Sequence, residues 1–344
     1  MTEPLTHMRA EIDEAGTAIA RLLAENEGRI NRLGAKLRAL DPLVLTTIAR
    51  GSSDYCALYL KYLAEIVVGI PCASIGPSIA TLYGAPLHLS RAAAVSISQS
   101  GRSPDIIEMQ RSARKAGATT IAMVNEVDSP LAIEAEELLP LMAGREQSVA
   151  ATKSMIAGLV AGAALVAAWR DDAALKSAIA GLPAILPARS APPPPGMVER
   201  VARAEHAFVL GRGATFAVAA EAALKLKETC AIHAEAYSSA EVLHGPAELA
   251  RPGFLVIAFM PGDAGRDGME MTLRLLAAAG ADVVRVDVGG DDAGDWLASA
   301  TAASPLLTPI AMIHRFYGLA EAVSRRLGRN PDRPRNLHKV TETI

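Results

Sequence analysis

Two kinds of hydrophobic pattern take turns along this chain. Up to about Leu40 the apolar positions recur at helical spacing and leave one polar face, until Asp41-Pro42 ends the run. Short, continuously apolar runs follow at residues 43–49, 92–97 and 119–124, the pattern of strands buried on both faces. Residues 55–68 and 103–116 between them have helical spacing, and Arg50 to Asp54 reads as a turn. Strands that alternate with helices predict a parallel sheet covered on both sides. The apolar stretch 154–169, flanked by Lys153 and Arg170, is shorter than the ~20 residues of a membrane span and reads as a buried core helix.

Residues 191–196, Ala-Pro-Pro-Pro-Pro-Gly, predict a stiff extended linker. Beyond it the pattern restarts, with strands at 207–210, 254–259 and 282–288, a turn at 211–214 and a helix at 216–230. The two halves read as copies of one unit. Ala49-Arg50-Gly51-Ser52 matches Gly211-Arg212-Gly213-Ala214, Tyr83-Gly84 matches His244-Gly245, and Ala116-Gly117-Ala118 matches Ala279-Gly280-Ala281. The expected fold is α/β: two similar doubly wound parallel-sheet domains at 41–190 and 197–329, a helical segment at 1–40 and a tail at 330–344.

Composition narrows the function. A chain of 344 residues can bury two full cores, and a net charge of -3 argues against a dedicated nucleic-acid binder. Arg325, Arg326, Arg329, Arg333, Arg335 and Lys339 gather near the end, where they are either simply solvated or help to attract an anionic substrate. Cys56, Cys72 and Cys230 are odd in number and scattered, which suggests a reducing cytoplasm and gives no metal-ligand spacing. The early acidic residues Glu3, Glu11, Asp13 and Glu14 do not match a secretory leader. No nucleic acid, membrane, metal or cofactor is expected.

Candidate chemistry starts at the turn Ser98-Gln99-Ser100-Gly101-Arg102-Ser103. Open N–H groups at a helix start, with small hydroxyls around them, make a cradle for phosphate. The turn alone reads equally as an ordinary strand-to-helix connection, with Ser103 capping before Pro104. The second copy has the acidic Met260-Pro261-Gly262-Asp263 there, so one phosphate site is expected, in the first half. Gly211-Arg212-Gly213 is no dinucleotide fingerprint, because Phe216 stands where the third glycine belongs. Glu221, Lys225 and Glu228 share one helix face. They are either a solvated stripe of pairs worth ~0.2–0.5 kcal/mol each or a pocket wall where a carboxylate beside an ammonium moves protons. His244, before Gly245-Pro246, is either a surface turn residue or an acid–base group titrating near neutrality. The histidines at 7, 88, 206, 233 and 314 lack such a context and are expected to be structural or exposed.

Seven segments, in order, resemble the SIS (sugar isomerase) domain family in its tandem form. They are Arg50-Gly-Ser-Ser53, Ser98-Gln-Ser-Gly-Arg-Ser103, Val149-Ala-Ala-Thr-Lys153, Glu221-Ala-Ala-Leu-Lys-Leu-Lys-Glu228, Ile232-His-Ala-Glu-Ala-Tyr237, His244-Gly-Pro246 and Pro334-Arg-Asn-Leu-His-Lys339. The resemblance is to the isomerase half of glucosamine-6-phosphate synthases and to stand-alone amino-sugar-phosphate deaminases. It implies that Ser98, Gln99, Ser100 and Ser103, with Ser52 or Ser53, hold a sugar phosphate. It implies that Val149 and its neighbours, Ala151 among them, touch sugar hydroxyls, and that Glu228 moves a proton between carbons 1 and 2. His244 would open the sugar ring from a neighbouring subunit, and Lys339 would close over the sugar, with imine formation as an option. Lys225 would support that chemistry, and the protein would be a homodimer without metal or cofactor.

The chain departs from the synthases in three places. It starts Met1-Thr2-Glu3 with about 40 residues before the first repeat, where they carry a glutamine-hydrolysing domain. Ala151 stands for a serine, and His338 for a small residue. The expected activity is release of ammonia from glucosamine-6-phosphate to give fructose-6-phosphate. The alternatives are isomerisation or deglycation of another amino-sugar or fructosamine phosphate, and a non-catalytic phosphosugar sensor. A sensor would keep the loop but has no need of Glu228, His244 and Lys339 together.

Overall fold

The continuously apolar runs become strands. In a computed structural model, which describes residues 5–289 and 296–339, the first sheet contains β1 (Val44–Ile48), β2 (Cys72–Ser74), β3 (Ala92–Ser98), β4 (Thr119–Val124) and β5 (Glu137–Pro140). Its order is β2-β1-β3-β4-β5 and every pairing is parallel. β3 is buried along its whole length, as a strand covered on both faces must be. A second sheet contains β6 (His206–Gly211), β7 (His233–Ser238), β8 (Leu255–Phe259), β9 (Asp282–Val288) and β10 (Trp296–Ser299). Its order, β10-β9-β8-β6-β7, is the same winding read from the other edge, again parallel throughout. The expected α/β fold with two doubly wound sheets is found. Glu3 and residues 340–344 of the expected tail lie outside the described residues.

The chain divides into two compact units. The first-sheet unit holds Thr17–Glu146, Lys153–Ala180 and the chain from Lys339; the second-sheet unit holds the chain up to Gly16, Gln147–Thr152 and Gly181–His338. In the first, Ile106, Met109 and Ala113 of the Pro104–Lys115 helix share a core with Ile48, Ala92 and Ala94. In the second, Met269, Leu273 and Leu276 of the Arg266–Ala278 helix do so with Phe208, Val256 and Ala258. The Lys153–Arg170 helix is long and apolar enough to cross a membrane by composition, but 94% of that stretch is buried inside the protein, as a core helix would be.

The helix ends differ from expectation. The helix after β1 starts at Ser52 rather than Tyr55, and the one after β6 at Ala214 rather than Phe216. Gly51 and Gly213 take the same conformation (φ 56, ψ -135 and φ 58, ψ -135) and let the chain enter the helix at once. Both helices also stop being α-helical early, at Leu63 and Lys225, and widen into i→i−5 turns at Ala64–Val68 and Leu226–Cys230. Each turn closes on a left-handed residue, Gly69 in one copy and Ala231 in the other. The proline stretch is extended only to Pro194, because Pro195 opens a helix, Pro195–Ala202, at a position where a missing N–H costs nothing.

Candidate functional site

Both hydroxyl-bearing turns of the first half leave the carboxyl ends of adjacent strands. β1 and β3 are neighbours, and the chain winds outward from them in opposite directions. Such a switch point opens a crevice at the strand ends, where open α/β sheets bind ligands. Ser52 and Ser53 begin the helix after β1, and residues 99–103 follow β3. Gly101 has φ +62, and a Cβ there would collide with the Ser129 side chain and with Val124 Cγ2, so only glycine fits this turn. The Gly101 N–H donates to Ser98 Oγ (2.9 Å) and the Arg102 N–H to Ser100 Oγ (3.3 Å). Ser103 stands at the N-cap with Pro104 after it, and its hydroxyl makes no capping bond. Arg50 Nε donates to the buried Asp105 carboxylate (3.1 Å), tying the turn after β1 to the helix after β3.

Beside the loop lies a cleft of about 590 Å³ whose lining includes Gln99, Ser100, Arg102, Arg145, Glu146 and Lys339. The Lys339 ammonium is 3.0 Å from Glu146 Oε2. The first-sheet unit therefore brings Lys339 to the same cleft as Gln99 and Ser100.

The second-sheet unit holds the carboxylate–lysine cluster. Lys225 Nζ donates to the Glu228 carboxylate and lies 3.4 Å from Glu221 Oε1, which also accepts the Tyr317 hydroxyl (2.9 Å). Glu221 and Lys225 have no exposed side-chain surface, and 20% of Glu228 reaches solvent. The solvated stripe is thereby excluded. Glu228 joins the cluster from the widened turn rather than from the α-helix itself. Burial alone would lower the Lys225 pKa, but the Glu221 and Glu228 carboxylates outweigh it and hold the ammonium above its ordinary range. Aligning Arg50-Gly51 with Arg212-Gly213 puts Tyr59, Leu63 and Ile66 at the equivalent positions of the first copy, none of them charged. The fold itself does not require the charges.

His244 is exposed, at the end of a short 3₁₀ turn (Glu241–His244) after β7, and makes no hydrogen bond or ion pair with Lys225 or Glu228. The Val149 N–H donates to the Asp332 carbonyl (3.1 Å), and Ala151 is half-buried nearby in sequence. In the second copy, Asp287 receives both guanidinium arms of Arg266 (3.1 and 2.5 Å) where the turn after β8 enters its helix. Of the sequence candidates, Ser52, Ser53, Ser98, Gln99, Ser100, Ser103 and Lys339 belong to the first-sheet unit. Val149, Ala151, Lys225, Glu228 and His244 belong to the second. Glu146 and Arg145 were missed, although they stand just before the Val149–Lys153 motif as charged residues after an apolar strand.

The SIS domain pattern matches residues 45–168 and 200–288. Glutamine–fructose-6-phosphate aminotransferase (isomerizing) of Thermus thermophilus is 33% identical over 338 residues, covering 90% of this chain and 56% of that protein. The chain thus spans a little over half the length of that curated relative. A Silicibacter pomeroyi protein assigned provisionally to the phosphosugar isomerases superposes with a TM-score of 0.89 at 42% identity, covering 95% of this chain and all of that one. Glucosamine-6-phosphate deaminase of Thermotoga maritima shares the fold, with a TM-score of 0.77 at 22% identity over 98% of this chain and 100% of that one. With two parallel sheets of one winding and a family pattern that falls on both, the chain belongs to the SIS domain family.

Proposed function

We propose that this chain is a phosphosugar isomerase that converts glucosamine-6-phosphate to fructose-6-phosphate and ammonia. The buried Glu221–Lys225–Glu228 cluster carries the reading. Desolvated charge at a position that the sister copy fills without charge is costly to the fold, which supports a functional role for the cluster. Kinship with a protein named for a fructose-6-phosphate reaction supports a hexose 6-phosphate as substrate.

In this proposal Ser98, Gln99, Ser100 and Ser103, with Ser52 or Ser53, grip the phosphate and supply binding energy remote from the reacting carbons. Val149 and Ala151 face the sugar hydroxyls. The protein is a homodimer, and His244 of the partner subunit moves the proton that opens the sugar ring; its exposure supports that role. Glu228 removes the proton from carbon 2 of the open-chain amino aldose and returns it to carbon 1, while a second proton passes from the amine nitrogen to the carbon-1 oxygen, which gives the imine of the ketose. Water adds at the imine carbon and ammonia leaves. Lys225 supplies a fixed positive charge beside Glu228, and Lys339 closes over the sugar. Positioned acid–base groups of this kind are worth ~10²–10⁴ in rate.

A second reading draws on Arg102 and Arg145, two exposed guanidiniums at the cleft with no carboxylate partner among the described residues. They favour a substrate with a second anionic group, such as an amino-acid-derived fructosamine phosphate that would be deglycated. Incubation with glucosamine-6-phosphate, galactosamine-6-phosphate and a fructosamine 6-phosphate separates the two. Ammonia from glucosamine-6-phosphate is the expected result, and free amino acid from the fructosamine alone supports the second reading. No ammonia from either 2-amino hexose phosphate rejects the deaminase.

A further inference from the structure

Glu146 is a fully buried carboxylate at the cleft, and no role given above uses it. One of its oxygens accepts the Ser154 N–H (3.1 Å), and the other accepts the Ser154 hydroxyl (2.7 Å) and the Lys339 ammonium (3.0 Å). Ser154 lies in the first turn of the Lys153–Arg170 helix, whose N-terminal end carries partial positive charge and favours a carboxylate. That helix is buried from Lys153 to Trp169, so the carboxylate sits on a rigid mount. A buried carboxylate also needs a cation at hand, and Lys339 provides it.

Lys339 comes from a very different setting. After the Thr308–Arg326 helix the chain makes only turns, and residues 335–338 are exposed. The backbone bonds at Arg333 and Leu337 reach back only three residues, to Asn330 and Pro334. Asp332 is anchored, its carboxylate accepting the His7 and Met8 N–H groups (2.9 and 2.7 Å) and its carbonyl the Val149 N–H (3.1 Å), but the exposed residues 335–338 lie between that anchor and the amine.

We propose that Glu146 is a positioning residue. It latches Lys339 to the rigid helix start and sets the place of its amine beside the 98–103 loop. The proposal rests on the reading that Lys339 acts on a substrate in this cleft.

Limited trypsin digestion of the full chain without substrate, read by mass spectrometry at the Arg335–Asn336 bond, tests the latch itself. In Glu146→Gln, that bond is expected to be cut about tenfold faster or more, with cleavage at sites elsewhere in the chain unchanged. Lys339→Met reads the same pair from its exposed end, should Glu146→Gln fail to fold, and is expected to give the same acceleration. Kinetics then test the positioning. Misplacing the amine in Glu146→Gln is expected to lower kcat/KM by about 10²-fold, with partial recovery in Glu146→Asp. The double variant Glu146→Gln/Lys339→Met is expected to be no slower than Lys339→Met. Unchanged cleavage after Arg335 in the folded variants overturns the latch. A double variant whose loss equals the product of the single losses reduces Glu146 to a structural residue. A wild-type protein that turns over no phosphosugar sinks the functional reading instead, while the proteolysis rate still decides the latch.

Discussion

A lysine without solvent contact keeps its charge here because two carboxylates flank it. Removing one partner of a buried ion pair strands the other, so Lys225→Met is expected to cost about 3–5 kcal/mol in a denaturant titration. The double variant Glu221→Gln/Lys225→Met leaves no stranded charge at Glu221 and is expected to recover most of that loss; equal stability of the two variants contradicts the account. Gly101→Ala combines a left-handed backbone with a collision against Ser129 and Val124, and is expected to lose about 1–3 kcal/mol by thermal melting. A melt equal to wild type would mean that the loop tolerates rearrangement. Much at this scale was legible in the sequence, because clustered hydroxyls and a Glu-Lys-Glu spacing are local patterns. Burial was not, and so the choice between a solvated stripe and a buried cluster stayed open. Glu146 had no visible partner, since Lys339 lies 193 positions further on.

At the scale of elements, β4 and β9 run where the apolar pattern predicts, at Thr119–Val124 and Asp282–Val288. β4, buried nearly throughout, writes itself as a largely apolar run, and β9 keeps the signal in Val283, Val284, Val286 and Val288 despite Asp282, Arg285 and Asp287. Helix ends were less readable. The widened turns continue the helical spacing, and Ala231 takes the left-handed stop that glycine usually signals. The Thr308–Arg326 helix carries His314, buried and with its Nε2 3.0 Å from the Ile12 carbonyl, to which the neutral ring donates. Burial lowers its pKa below 6.5, against the pull of that carbonyl and Asp13, while Arg9 and Arg315 push the same way as burial. The neutral ring is the form the fold prefers. Its contribution is therefore complete above pH 6.5 and lost as pH falls from there through the lowered pKa. Thermal midpoints at pH 7.5 and 5.0 are expected to differ less in His314→Gln than in wild type, and an identical pH dependence would remove His314 as a cause.

Across the molecule, two copies of one winding carry different side chains at equivalent positions. The first copy carries the hydroxyl-rich turn and uncharged residues where the second carries Glu221, Lys225 and Glu228. The second carries the charges and an Arg266–Asp287 pair at the start of the helix after β8. The duplication itself was legible because paired turn motifs recur at nearly constant spacing. The acidic Met260-Pro261-Gly262-Asp263 stands in the second copy where the first has its hydroxyl-rich turn. The most direct test is the turnover of glucosamine-6-phosphate by folded Glu228→Gln, whose amide keeps the shape of the side chain but cannot take a proton. Ammonia release is expected to fall by about 10²-fold or more with KM little changed; a Glu228→Gln protein as fast as wild type would contradict the assignment.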